Sequence, residues 1–264
     1  KTVTFIETPM LHWPDSMFSY INEDKLLISS DAFGQHMATI ERFADEVDQC
    51  DMWHNASKYS ANILMLFSPN VQRLLGKVAE LGLKIDMIAP DHGLIWRENP
   101  AQIIEAYDKW SGGTKKDKAL VIYDSMWHST ELMAKAICSE IAKHGVEAKL
   151  FNLKANHRSD VMTDVLDAKA LIFGSPTLNN GLLPTMGDFL TYLKGLRPKG
   201  QVAAAFGSFG WRGEAVKHIN GYMEDMKLEL AHPALKVKNV PREEDFASCR
   251  EFAADVVKAI QAAD

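Results

Sequence analysis

The sequence predicts an α/β protein of two units, the second a doubly wound five-stranded parallel sheet. Three observations carry this. The 264 residues are 47% hydrophobic, enough for two cores. Charge is uneven: residues 1–112 hold 9 basic against 16 acidic side chains, and residues 113–264 hold 20 against 19. Beyond residue 117 short apolar runs alternate with amphipathic stretches, the pattern of parallel strands joined by crossover helices.

In the first unit, Thr2–Ile6 is β-branched and aromatic, and Leu26–Ser30 is a short apolar run ending at Asp31, so residues 1–31 read as strands and connections. Ala38–Cys50 and Ser57–Leu66 contain helical stretches. Val71, Leu74, Leu75, Val78 and Leu81 recur at steps of three and four, which predicts a helix over Pro69–Leu81 stopped by Gly82. Lys84–Ala89 reads as a strand and Pro100–Trp110 as a helix opened by proline. The small, polar stretch through residues 113–117 is the expected linker between 1–112 and 118–264.

In the second unit the expected strands are Lys118–Tyr123, Glu147–Asn152, Ala170–Gly174, Gln201–Gly207 and Val237–Val240. The expected helices are Ser129–His144, Val161–Leu166, Leu183–Leu193, Gly213–Met226 and Glu243–Ala262. A formal net charge of −6 argues against a general nucleic-acid binder. Cys50, Cys138 and Cys249 form no CxxC pair, so a disulfide framework or an iron–sulfur site within the chain is not expected. Scarce cysteine fits a reducing, cytoplasmic setting, and no apolar run reaches membrane-spanning length.

Three loops of the second unit fall at C-terminal strand ends, where open α/β sheets take their ligands. The first, after Tyr123, carries Ser125, Met126, Trp127, His128, Ser129 and Thr130 into a helix. Hydroxyls and free N–H groups at such a turn suit a phosphate, although Ser129 or Thr130 could equally serve as a plain helix cap. The others are Pro176, Thr177, Leu178, Asn179, Asn180 and Gly181, and Ser208, Phe209, Gly210 and Trp211 through Gly213. Glycine permits close approach to a ring, and two tryptophans at one rim favour an aromatic ligand. With these residues, 118–264 resembles a flavodoxin domain. The resemblance implies bound FMN, its phosphate in the 125–130 loop and its ring between the other two.

In the first unit, His12 lies in Leu11-His-Trp-Pro-Asp-Ser-Met17, Asp31 in Ser30-Asp-Ala-Phe-Gly-Gln35, and His92 in Pro90-Asp-His-Gly93. Imidazole and carboxylate together suit zinc or non-haem iron; singly, each residue could be a turn former, cap or surface group. His36, close to Asp31, is a candidate for supporting such a site. These segments resemble the C-terminal portion of a metallo-β-lactamase-like αββα domain. Followed by flavodoxin, that pairing resembles the flavodiiron proteins, the rubredoxin:oxygen oxidoreductase group.

The resemblance implies two irons held in part by His12, Asp31 and His92, with Asp31 bridging; His36, from its place beside Asp31, is the candidate catalytic residue that would tune the site or move protons. It implies electrons from a rubredoxin-type donor, passage through FMN, reduction of O2 to water or NO to N2O, and a head-to-tail homodimer. The family's HxExDH segment is absent, so an upstream segment is expected to complete the metal site. A zinc hydrolase fused to a flavodoxin domain and an FMN carrier with a structural first domain are the alternatives.

Overall fold

The computed structural model describes residues 1–263 and divides into two compact units, Lys1–Thr114 and Lys115 onward.

In the first unit β1 (Val3–Glu7), β2 (Met17–Ile21), β3 (Leu26–Ile28) and β4 (Met87–Ala89) form one sheet in that order. The first two pairings are antiparallel and β3–β4 is parallel. Alternation gives the sheet two faces. Ile6, Phe18, Tyr20, Leu27 and Ile88 are buried. They form one core with Val71 and Leu74 of α2 (Ser68–Glu80) and Ile103 and Tyr107 of α3 (Ala101–Gly112). The opposite face exposes Val3, Phe5, Met17 and Ile28, with Phe5 64% accessible. Cross-strand register puts these four on a common side.

The predicted strands at 2–6, 26–30 and 84–89 correspond to β1, β3 and β4, the last two shorter than expected. β2 falls within the strands and connections expected over residues 1–31. The helical content expected within Ala38–Cys50 is confined to a 3₁₀ turn at Ala44–Glu46 and the first two residues of α1 (Gln49–Tyr59), which begins where Asp48 accepts hydrogen bonds from the N–H groups of Cys50 and Asp51. α1 continues through a π-helical turn, Ser60–Leu64, and a 3₁₀ turn, Met65–Phe67, before α2.

The second unit begins with β5 (Lys116–Tyr123), so Lys116 and Asp117 belong to a strand and not to a linker. Lys116 N–H donates to the Asp167 carbonyl, which starts the pairing early. Then follow α4 (Ser129–Lys143), β6 (Glu147–Asn152), α5 (Arg158–Val165), β7 (Ala168–Gly174), α6 (Pro184–Leu196) and β8 (Val202–Phe209). α7 (Glu214–Asp225), β9 (Glu229–Leu230), β10 (Leu235–Lys238) and α8 (Glu243–Ala262) complete it.

All its strand pairings are parallel, in the order β6-β5-β7-β8-β10. β9 and β10 meet different halves of β8, at Val202–Ala203 and Phe206–Phe209, so the sheet has the five expected positions, with its edge position divided between two short strands. β9 is two exposed residues, too short to leave a periodic signal. Helices cover both faces, so β5, β7 and β8 are almost wholly buried. Val121, Ile172 and Ala204 pack on Met133, Ile137 and Ile141 of α4 and Phe252 and Val256 of α8. The chain starts at β5 and turns outward to β6 and then inward to β7, so the switch in strand order lies between β5 and β7.

Candidate flavin and metal sites

The three loops expected at the ligand edge do converge. Ser125, Met126, Trp127, Ser129, Pro176, Thr177, Ser208, Phe209 and Gly210 line one cleft with Asn239. It shares Met126, Trp127, Thr177 and Gly210 with a second cleft of about 600 Å3, which adds Leu178, Asn179, Asn180, Trp211, Arg212 and Glu214. The groove therefore runs from the start of α4 along the β5–β7 switch.

Each end of the groove has a physical character. At the α4 end no side chain caps the helix N-terminus, leaving its N–H groups and positive dipole facing the loop. The Ser125 hydroxyl is buried and has no hydrogen-bond partner. An unpaired buried hydroxyl is costly, so this one fits a ligand oxygen such as phosphate. Thr130 does not line the groove: its hydroxyl is buried 2.9 Å from that of Ser208, tying the first loop to the third. His128 turns out to Glu131 at 2.7 Å. Gly181 and Gly213 also fall outside both linings.

At the other end Trp127 and Trp211 are 83% and 90% accessible. Indoles this bare on a shared rim fit the two faces of a planar ring. Asn179 and Asn180 both have positive φ, and Leu178 and Gly181 exchange N–H and C=O hydrogen bonds around them. This is a type I′ turn, with asparagines where that turn wants them. The residues present thus fit FMN: hydroxyl and helix end for the phosphate, bare indoles and a turn for the ring.

Sequence reasoning missed what lies beneath the first loop. Asp124 is buried at the end of β5. It accepts from Ser125 N–H at 2.6 Å and from the Thr185 hydroxyl, and Lys154 Nζ lies 3.4 Å away. A strand-end aspartate before a serine is a visible signal; the lysine arrives from β6 and is not. Asn239, Arg212 and Glu214 were likewise not anticipated.

In the first unit His12, Asp31 and His92 come together. Asp31 is 6% accessible. Its Oδ1 lies 3.1 Å from His92 Nε2 and its Oδ2 lies 3.7 Å from His12 Nε2. Two ligand atoms bonded to one metal at about 2.1 Å and at angles of 90–120° sit about 3.0–3.6 Å apart; the His92 separation falls in that range and the His12 separation lies just beyond it. Each carboxylate oxygen meets a different imidazole, the donor layout of a bridging aspartate. Among the described residues no group of three or more His, Cys, Asp or Glu is placed to hold a metal ion. This chain brings one imidazole to each oxygen of Asp31.

The loops that carry these groups are tightly built. Gln35 is fully buried; its Oε1 accepts from Leu94 N–H at 2.6 Å, its Nε2 donates to the Leu94 carbonyl at 3.1 Å, and its own N–H donates to the His92 carbonyl at 3.1 Å. Tyr107 Oη accepts from Phe33 N–H, and Trp96 Nε1 donates to the Phe33 carbonyl. Gly93 has φ +85°, and a Cβ there would fall 1.8 Å from Gln35 Oε1, so glycine is obligatory. The Asp31 and His92 loops are in this way fastened to each other through an amide.

The irregular turn after α1 brings Tyr59 against His36 and His92, and Phe67 against His12. His36 meets His92 edge-on with ring centres 5.4 Å apart. Burial, with His92 beside it, holds the His36 imidazole below its usual range. Burial raises the Tyr59 phenol, and Asp31 and Asp91 add to the rise; its hydroxyl is buried without a partner. Gln35, Tyr59 and Phe67 leave no signal in the sequence, because none stands in a motif that points to the site.

Comparison with known proteins is consistent with this geometry. Residues 121–252 match the flavodoxin family model, and residues 1–93 match that of the ODP family beta lactamase. The chain is 49% identical over 253 residues to a nitric oxide reductase of Moorella thermoacetica, covering 96% of this chain and 63% of that one. The structure of rubredoxin oxygen:oxidoreductase from Desulfovibrio gigas superposes with a TM-score of 0.97 at 39% identity, over 100% of this chain and 66% of that one. The chain belongs to the flavodiiron protein family.

A second member of known structure, the flavodiiron protein of Giardia intestinalis, superposes with a TM-score of 0.94 at 36% identity, over 99% of this chain and 64% of that one. The chain thus spans about two thirds of the length of these flavodiiron relatives. As in the family, a flavodoxin-like sheet follows a metallo-β-lactamase-like unit, implying FMN and non-haem diiron as cofactors. No helix among the described residues is long and apolar enough to cross a membrane.

Proposed function

We propose that this chain is the flavin-binding and metal-bridging part of a reductase that takes electrons from a rubredoxin-type donor and delivers them to O2, NO or both. The observation that carries this reading is Asp31, with one imidazole at each oxygen, in a chain that also builds a flavin groove. A carboxylate shared between two histidines suits a metal pair better than a single hydrolytic zinc. When bound, FMN and the iron pair supply stepwise electron transfer and the site of gas reduction.

The chain's own residues then have defined tasks. His12 and His92 each present Nε2 toward one oxygen of Asp31. Phe67 and Trp13 flank the His12 ring, and His36 and Tyr59 flank His92, so both imidazoles are held in place by packing. Gln35 fixes the spacing of the two loops. In the second unit Ser125 and the first turn of α4 hold the phosphate, and Trp127 and Trp211 face the ring. His128, Thr130, Gly181 and Gly213 shape the loops without lining the groove.

The remaining ligands come, in this reading, from polypeptide that flavodiiron relatives carry beyond the span of this chain. The apolar sheet face of Val3, Phe5, Met17 and Ile28 supports it, because a sheet with an apolar face requires a second layer. A head-to-tail homodimer, a cytoplasmic setting and a division between residues 1–112 and 118–264 belong to the same proposal. The test is the enzyme that carries this chain, assayed with reduced rubredoxin by O2 and NO electrodes. Iron and FMN should be present, and Asp31→Ala should abolish gas consumption while leaving FMN bound. Full activity in Asp31→Ala would refute it.

A further inference from the structure

The flavin loop rests on a buried carboxylate, Asp124, paired with the partly exposed ammonium of Lys154, an arrangement the fold alone does not require. Asp124 is 1% accessible, and its carboxylate lies directly under the loop that receives the phosphate. A buried carboxylate there opposes a dianion. Yet it holds Ser125 N–H at 2.6 Å and takes the Thr185 hydroxyl, so it is bound into the loop and cannot turn away. The Lys154 ammonium answers it. Lys154 Nζ sits 3.4 Å from Asp124 Oδ1 and donates to the Ser125 carbonyl at 2.5 Å.

The second contact has a geometric consequence. A trans peptide is planar, so its C=O and N–H point in opposite directions. Tying the Ser125 carbonyl to Lys154 turns the Met126 N–H to the side away from the lysine. Lys154 lines neither cleft, whereas Met126 lines both.

We propose that Lys154 is a positioning residue for the flavin phosphate: it neutralises Asp124 and sets the Ser125–Met126 peptide, so that the loop accepts a dianion without a cation in direct contact. Selectivity for the phosphorylated flavin over riboflavin then depends on a side chain outside the groove. This rests on the flavin reading above.

The test titrates the apoprotein with FMN and, separately, with riboflavin, following quenching of flavin fluorescence. Lys154→Met is expected to weaken FMN by about tenfold, the scale of a lost charge-assisted hydrogen bond. Riboflavin, which has no phosphate, should change by less than about twofold on the same scale and so also reports that the groove is folded. Lys154→Arg should retain most of the FMN affinity. Adding Asp124→Asn to Lys154→Met should recover part of it, because the unopposed charge is gone while an oxygen remains for Ser125 N–H. The proposal is overturned if Lys154→Met binds FMN as the parent does, or loses FMN and riboflavin equally. If the parent protein itself binds no FMN, the flavin reading fails instead.

Discussion

Removing the Gln35 amide tests whether the loops of the metal site are fastened as described. In the parent the amide satisfies both backbone groups of Leu94, at 2.6 and 3.1 Å, while its approach to the Phe33 carbonyl at 3.4 Å is too long to count. Gln35 is 0% accessible and Leu94 2%, so Gln35→Met leaves a buried N–H and a buried C=O without partners but keeps most of the volume. Each unsatisfied group costs about 1–3 kcal/mol, and partial entry of water brings the sum to about 3 kcal/mol. Urea unfolding of the whole chain, followed by tryptophan fluorescence through Trp96, should show that loss. Amide exchange at Leu94 should accelerate by about a hundredfold, the same free energy expressed as an opening constant. A loss below about 1 kcal/mol with Leu94 still protected would refute the clamp.

Further perturbations test other links. Gly93→Ala should destabilise the first unit by about 3 kcal/mol or more, since it combines a positive φ with a clash on Gln35, read by the same unfolding curve. Trp211→Ala and Trp127→Ala should each weaken FMN about fivefold to a hundredfold and leave the urea midpoint unchanged, because both rings are exposed; an unaltered FMN affinity would remove them from the ring site. Burial lowers the Lys115 ammonium from 10.5 to about 8. Between those values the unfolded chain holds a proton that the folded one lacks, so stability rises with pH there. Lys115→Met should therefore stabilise the protein most at neutral pH, and the gain should shrink as pH climbs from 8 toward 10.5, measured by denaturant titration at each pH.

The second unit was legible nearly element by element, because buried parallel strands read as unbroken apolar runs such as Ala119–Tyr123 and their helices announce themselves by period. The edge was not: β9 is two residues long. In the first unit β2 lies unmarked within a longer stretch of strands and connections, and the helical content of Ala38–Cys50 is one 3₁₀ turn and the start of α1, since the capping that starts α1 lies at Asp48. The site chemistry was visible in residue types. His12, Asp31 and His92 stand beside strand ends or turns where ligands are placed. What held them was not visible. Gln35 acts through two backbone groups of Leu94, and Lys154 reaches Asp124 from the end of a neighbouring strand. Such contacts depend on tertiary register, which no local pattern encodes. His128 shows the reverse error: it stands in the right loop, but its ring bonds Glu131 at 2.7 Å instead of facing the groove.

An iron-edge anomalous difference map from crystals of the enzyme that carries this chain addresses the central claim most directly. Two peaks are expected, one between His12 Nε2 and Asp31 Oδ2 and one between His92 Nε2 and Asp31 Oδ1, with Asp31 spanning them. A single peak, or peaks out of reach of Asp31, would contradict the bridging role from which the reductase reading follows.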